Sequence, residues 1–476
     1  MLYWLIFGSL GLLLAVILLR AVLFRPKAQR APAPSPLSGD PESWVTSLAE
    51  MVRIPTVSRQ DPALEDEAAF TEFCEALPRL FPQVHQTCTL TRFPGRGLLY
   101  HWKGSEPGPA TVLMAHYDVV PADGEGWTHP PFSAHITDGF LWGRGTLDTK
   151  VTVNGILCAA EALMAQGFVP RQDVYFAFSG GEEINGPGAK NIAEFFRSRG
   201  IALSLVLDEG GAVVENVFPG VKTPCAMVGI GEKGMLNVRY TARSQGGHAS
   251  APTPGTPVSR LARACRRVEG KPFPMRMTAP ARKMFDTLGR HSGFGLKILF
   301  ANLWLFGPLL DRICRKTGGE LNALLRTTTA FTMLSGSNAV NVIPTEATMV
   351  SNMRLNPDDT VAGAMERLKR TVNDPQVELT ALGGFEPSSV SRTDGSGWER
   401  VQTAILQTWD CIVSPYLMVQ CADARHFSAI SDRVYRFSAM ALTAQERKLI
   451  HGIDERIPLE TIQKTVEFYQ NLVKQL

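Results

Sequence analysis

The chain has no Cys-x-x-Cys pair; its eight cysteines (Cys74, Cys88, Cys158, Cys225, Cys265, Cys314, Cys411, Cys421) are scattered. Neither a disulfide framework nor a thiolate zinc site is indicated, and buried free thiols are the simpler reading. There is no Asn-x-Ser/Thr acceptor, so nothing supports a glycosylated secreted domain. No Gly-x-Ser-x-Gly elbow occurs, which disfavours a serine hydrolase. An excess of one charge is also missing. A net +3 over 476 residues does not suggest a nucleic-acid surface. No internal repeat is visible, and the one low-complexity stretch, Pro26 to Gly39, reads as an extended proline-rich tether.

Met1 to Leu19 lacks any charged residue, and the apolar run continues past Arg20 to Phe24. As a helix it is long enough to cross ~30 Å of hydrocarbon. A signal peptide needs a basic start and a small-x-small cleavage site, and neither is evident. The reading is an uncleaved single-pass anchor. Arg20, Arg25, Lys27 and Arg30 on its C-terminal flank favour a cytoplasmic main domain. Many N-terminal anchors export the domain behind them, so the side of the membrane stays open.

A chain of this length can bury more than one core. Beyond the tether, Ser43 to Arg53, Ala63 to Leu77 and Lys150 to Gln166 have helical spacing. Thr111 to Ala115, Asp173 to Phe178 and Ala202 to Leu207 read as buried strands, the last ending at Asp208. Strands alternating with helices predict a mostly parallel α/β sheet. From Met235 the pattern becomes β-α-β-β-α-β, the ferredoxin-like order. It interrupts the α/β domain. The expected division is an anchor over 1–24 and a tether over 25–39. The catalytic domain comes next, over 40–234 and 384–476, with an inserted lid or dimerisation domain at 235–383. Within the insert, Phe294 to Leu310 is strongly apolar but too short to span, and reads as a core helix or an apolar cover.

Five polar motifs punctuate this plan: His116-Tyr117-Asp118, Gly143-Arg144-Gly145-Thr146-Leu147-Asp148, Gly180-Gly181-Glu182-Glu183, Asp208-Glu209-Gly210-Gly211 and His451-Gly452-Ile453-Asp454-Glu455. Three of them sit at the carboxyl ends of predicted strands, where α/β sheets bind ligands. Imidazoles and carboxylates are the donor mix that suits zinc. His116 and Asp118, two apart on a strand, face one way, so Asp118 can orient the imidazole. Asp148 could bridge two metals or simply cap the next helix. Glu182-Glu183 offers one ligand and one free carboxylate able to move a proton. Singly, each motif has an ordinary reading as a cap, a solvated turn or a surface histidine. Together they point to a metal hydrolase.

The order His-x-Asp, Gly-Arg-Gly-x-x-Asp-x-Lys, Glu-Glu, Asp-Glu-Gly-Gly, His-Gly-x-x-Glu resembles the dinuclear zinc metallopeptidases of the aminoacylase and carboxypeptidase S type. Arg326-Thr327-Thr328-Thr329-Ala330, Asn341-Val342-Ile343-Pro344 and the apolar insertion resemble the N-fatty-acyl-amino-acid synthase/hydrolase branch most. The resemblance implies two zinc ions (cobalt or manganese as alternatives) held by His116, Asp148, Glu183, Asp208 and His451, with Glu209 as the alternative to Asp208. It makes Asp148 the bridge, Glu182 the general base and acid, and Asp118 the orienting residue. It assigns His248, in Gly246-Gly247-His248, to the scissile carbonyl, and Asn341 and Arg354 to the substrate's carboxylate. The implied fold is a zinc-hydrolase α/β domain with a ferredoxin-like lid. The implied reaction is hydrolysis, reversible in principle, of N-acyl amino acids, with short-peptide carboxypeptidase activity as the alternative. The family also allows a homodimer through the lid. A membrane-tethered binding protein that lost catalysis is the reading from another class, yet no ligand is missing and Glu182 is present.

Overall fold

The structure, a computed structural model, describes residues 2–476. Helix α1 (Leu2–Leu23) leads into an irregular strap, then α2 (Pro41–Arg53). Asp40 caps α2 by accepting the Glu42 and Ser43 N–H groups, with Pro41 at the first helical position. Strands β1 (Thr89–Phe93), β2 (Gly97–Trp102) and β3 (Ala110–His116) follow. Next come α3 (Lys150–Ala165), β4 (Val174–Ser179), β5 (Leu203–Val214) and β6 (Cys225–Glu232). The chain then makes a second unit and returns with β11 (Ile412–Met418), β12 (Val434–Leu442) and the last helix (Leu459–Val473).

The main sheet has eight strands in the order β1-β2-β4-β3-β5-β12-β6-β11. Its centre is parallel: β3 pairs with β4 and β5, and β5 with β12. Alternation along β3 sends Leu113 and Ala115 into one core, Val112 and Met114 into the other. Both faces are therefore covered, as a parallel sheet requires. Helix α3 is buried along nearly its whole length. This sets the carboxyl ends of β3, β4 and β5 side by side.

The second unit holds β7 (Gly234–Arg243), α4 (Pro257–Gly270), the insertion, β8 (Thr328–Ser335), β9 (Glu346–Leu355), α9 (Val361–Val372) and β10 (Val377–Phe385). Its sheet is antiparallel in the order β8-β9-β7-β10. Every second residue of β9 is buried, in a separate core with Leu236, Tyr240, Leu261 and Leu368. The insertion comprises α5 (Ala279–His291), α6 (Phe294–Ala301), α7 (Leu303–Thr317) and α8 (Gly319–Leu325). It packs on the core of the main sheet through Met284, Phe285 and Phe300.

Three expectations change. The stretch Phe294 to Leu310 is not one core helix, because α6 and α7 meet at a 105° bend and much of their apolar surface is exposed. The proline-rich segment is extended but not free. Gln29 exchanges two hydrogen bonds of 2.8 Å with the Val413 backbone, and Ser38 exchanges two with Gln470. Strand β5 does not end at Asp208; it shifts register beyond that residue and runs on to Val214. The physical reason is Gly210-Gly211. Gly210 takes φ +143°, and a Cβ on Gly211 would lie 1.7 Å from the Met227 carbonyl oxygen.

Candidate metal-binding active site

His116 is the last residue of β3 and is buried. Its Nδ1 lies 2.9 Å from the Asp118 main-chain carbonyl and 3.4 Å from that residue's carboxylate. The nearer partner is thus the backbone of Asp118, not its side chain. That carboxylate does different work: it accepts the N–H groups of Glu182 (3.1 Å) and Glu183 (3.2 Å) and the Ser58 hydroxyl. A buried Asp118 therefore fixes the glycine-led turn that carries both glutamates beyond β4.

Asp148 stands between the two histidines. Its Oδ1 is 3.0 Å from His116 Nε2, and its Oδ2 is 3.0 Å from His451 Nε2. His451 Nε2 is also 3.2 Å from Glu183 Oε1. Side-chain donors of His116, Asp148 and Glu183 lie within 4.8 Å of one another, as do those of His116, Glu182 and Glu209.

The two neighbours at the fourth position, Asp208 and its alternative Glu209, are placed differently. Asp208 does not face this cluster: its Oδ2 accepts the Ala424 N–H at 2.7 Å and its Oδ1 the Glu209 N–H at 2.9 Å. Glu209 takes the predicted place, with Oε1 3.3 Å from His116 Nε2. Successive strand residues point to opposite sides, so only one of the two neighbours can face the cluster, and alternation by itself does not say which.

Electrostatics fit a cation site. Burial, and then the neighbouring carboxylates of Asp423, Glu209 and Glu183, raise the Glu182 carboxyl well above its usual range against the opposing pull of His116. Asp208 is pushed up to about 7, by burial and then Asp423. Glu209 is pushed up to about 8, chiefly by burial. Burial would raise Asp148 too, yet hydrogen bonds to His116 and His451 hold it well below the carboxylate range. Hydrogen bonds to Asp148 and Glu183 raise His451 to about 10. Acidic side chains crowded out of water repel one another, and divalent ions relieve both costs. The donor set of two imidazoles and several carboxylates fits such ions.

Two supporting residues lie inside the motifs without a role legible from sequence, and one lies outside them. Arg144 and Glu455 form a buried ion pair at 2.7 Å. Glu455 Oε1 also accepts the Leu147 N–H at 2.7 Å, and Arg144 donates to the His451 carbonyl at 3.3 Å. This clamp ties the Asp148 loop to the His451 loop. Asp423, buried beside Asp208, accepts the Ser179 hydroxyl. No local sequence signal marks it, because its neighbours assemble only in the fold.

The cluster opens into a cavity of about 1120 Å³. Asp148, Glu182, Glu183, Glu209, His451 and Arg354 line it. Arg354 donates to Cys421 Sγ at 3.0 Å. His248 and Asn341 do not line it. They lie in and beside a small exposed antiparallel pair of short strands, Gly247–His248 with Val342–Ile343, where the Ala249 N–H donates to the Asn341 carbonyl at 3.0 Å.

Comparison with known proteins gives the family. The model of peptidase family M20/M25/M40 matches residues 112–475. The chain is 38% identical to an N-fatty-acyl-amino acid synthase/hydrolase of Xenopus tropicalis, over 91% of this chain and 88% of that one. It is 37% identical to a probable carboxypeptidase S-like protein of Dictyostelium discoideum, covering 90% and 84%. The fold is similar to an M20 family metallo-carboxypeptidase of Sulfolobus solfataricus, with TM-score 0.65 and 18% identity over 90% of this chain and 98% of that one. With a family model matched over most of its length, a cluster of metal-binding side chains and relatives of this identity, the chain belongs to the M20/M25/M40 peptidase family and is a hydrolase.

Proposed function

We propose that the protein cleaves N-acyl amino acids, N-fatty-acyl ones included, to a carboxylic acid and a free amino acid. The observation that carries this reading is one cavity joining the acidic-histidine cluster, a cationic Arg354 and an apolar end of Val214, Val217, Phe218, Met284, Leu288 and Leu321. Its volume exceeds the usual ~300–1,000 Å³ of small-molecule sites, as a long acyl chain would need. The name of the Xenopus relative supports the same class.

His116, Asp148, Glu183, Glu209 and His451 would hold two zinc ions, with cobalt or manganese as alternatives. Asp148, 3.0 Å from each histidine, suits the bridging place. Zinc bound there would supply Lewis-acid chemistry at the amide carbonyl. Glu182 lines the cavity at the cluster, its main chain pinned by Asp118. It takes the proton of the attacking water as the carbon–oxygen bond forms. It then returns that proton to the amine nitrogen as the carbon–nitrogen bond breaks. The planar Arg354 fork binds the substrate's free carboxylate. Run backward, the same steps join an acid to an amino acid.

The antiparallel unit acts as a ferredoxin-like lid. His248 stabilises the oxyanion and Asn341 assists Arg354 when this exposed strand pair meets a cavity, that of a second copy in a lid-mediated homodimer. Helix α1 is a single-pass anchor, 22 residues long and uncharged throughout except Arg20. Short-peptide carboxypeptidase activity is the second reading, favoured by the name of the Dictyostelium relative.

The test measures amino-acid release by the full zinc-loaded chain from N-oleoyl-phenylalanine, N-acetyl-phenylalanine and a dipeptide, with Glu182→Ala as control. Release mainly from the oleoyl substrate, lost in the variant, is expected. Preference for the dipeptide would establish the second reading, and no release despite bound metal would refute both.

A further inference from the structure

Helix α7 is amphipathic in an unusual sense. Its inner face, Gly307, Leu310 and Cys314, is buried. The outward side of its first half is also apolar: Trp304 is 59%, Leu305 37% and Leu309 48% exposed, with Ile313 (44%) at the edge and exposed Arg312 beyond. Phe294, at the start of α6, is 53% exposed. A soluble protein rarely leaves such a contiguous patch in water. At 15 residues, about 22 Å, α7 is too short to cross a bilayer, and the 105° bend at Asn302 prevents α6 from extending it.

The patch adjoins α1. Arg20 donates through both Nε and Nη2 to the Ala301 carbonyl (3.0 and 2.8 Å), capping the open C-terminal end of α6. Asn302, at the bend, donates to the Ile17 carbonyl at 3.1 Å. These contacts, with buried Ile17 and Ala21, fasten the elbow to the last two turns of α1, while the rest of that helix projects. Ile17 lies six residues before the end of α1, about 9 Å along its axis. That matches the ~5–10 Å to which interfacial helices bury their apolar faces. The last turn of α7 carries Arg315 and Lys316, and Arg25 lies just beyond α1. Arg25, Arg312 and Lys316 make no ion pair among the described residues, which suits lipid headgroups.

We propose that the α6–α7 elbow is a second membrane contact, seated in the leaflet that α1 leaves on its way to the catalytic body. This inference rests on the reading of α1 as an anchor. The occupant of the apolar patch is lipid, continuous with the lipid around α1. The elbow also sits one helix layer from the cavity. Phe300 of α6 packs on Phe218 and on Phe285 of α5, with ring centroids 4.8 and 5.5 Å apart. Gly289 permits this close approach, since a Cβ there would lie 2.9 Å from that of Phe300. On the adjoining flank of α5, one residue before Phe285 and Gly289, Met284 and Leu288 line the cavity. A substrate whose acyl chain resides in the bilayer therefore meets the enzyme beside the apolar end of its cavity.

The test is tryptophan quenching in full-length protein reconstituted into vesicles of phosphatidylcholine brominated near the headgroup end of the acyl chains. Subtracting the emission of Trp304→Phe and Trp4→Phe from wild type isolates each residue's share. We expect both shares to be quenched, that of Trp304 at least about twofold relative to plain lipid. Leu309→Asp with Ile313→Asp, both at exposed positions, should restore most of the Trp304 emission while leaving Trp4 quenched. Quenching of Trp4 alone would overturn the proposal and leave the patch to a second copy of the chain. Quenching of neither would sink the anchor reading together with it.

Discussion

Changing Glu455 to Gln would test the argument that a buried clamp holds the metal cluster together. Glu455 accepts two hydrogen bonds at 2.7 Å, from Arg144 Nη1 to Oε2 and from the Leu147 N–H to Oε1. Glutamine keeps the shape but has one accepting oxygen, so an amide N–H must face one of these donors. If Arg144 loses its partner, its charge stays buried without compensation, a loss of about 3–5 kcal/mol. Burial raises the Glu455 carboxyl against the pull of Arg144, so desolvation consumes much of what the pair gains. The pair is therefore costly to break rather than strongly stabilising to possess. Misplacing Asp148 and His451 should also lower zinc affinity about 10–100-fold, as for other residues that orient metal ligands. Urea unfolding of metal-free full-length protein in detergent measures the first effect, and competition with a chromophoric zinc chelator the second. Replacing both Arg144 and Glu455 with Met should recover part of the stability, because no charge remains buried, but not the affinity. Unfolding within ~0.5 kcal/mol of wild type and unchanged affinity in Glu455→Gln would refute the clamp.

Three further outcomes are expected. Glu209→Ala should lose bound zinc, measured by elemental analysis, whereas Asp208→Asn should retain it, since that side chain serves Ala424; the opposite pattern would restore Asp208 as the ligand. Prolonged chelation should abolish hydrolysis and lower the thermal midpoint, because ions that bind only the folded chain stabilise it, and zinc should restore both. Lys233, buried and donating to the Ala323 and Arg326 carbonyls, titrates near about 7, lowered by burial and then by Arg354. An unfolded lysine titrates near ~10.4 and so binds the proton that the folded one has shed. Stability should rise with pH across that window, by at most ~1.4 kcal/mol per pH unit, a slope absent from Lys233→Met in unfolding curves taken at several pH values.

Much of the fold was legible because its elements are locally consistent. Thr111 to Ala115 and Asp173 to Phe178 read as buried strands and form β3 and β4, adjacent and parallel. Helix Pro257–Gly270 and strand Glu346–Leu355 follow their own periodicity. The insertion misled because an apolar run says how much surface must leave water, not what will cover it. Asp208 and Glu209 were not separable because alternation puts neighbours on opposite faces without saying which face meets His116.

The sequence by itself determined the parallel α/β plan, the imidazole and carboxylate character of the site and the apolar N-terminal helix, since each arises from side-chain type and short-range period. Tertiary structure alone decided that Glu209 rather than Asp208 faces His116, that Arg144 meets Glu455 across 311 residues, and that the α6–α7 elbow lies against α1. These outcomes depend on contacts between distant segments, whose energies no local pattern records.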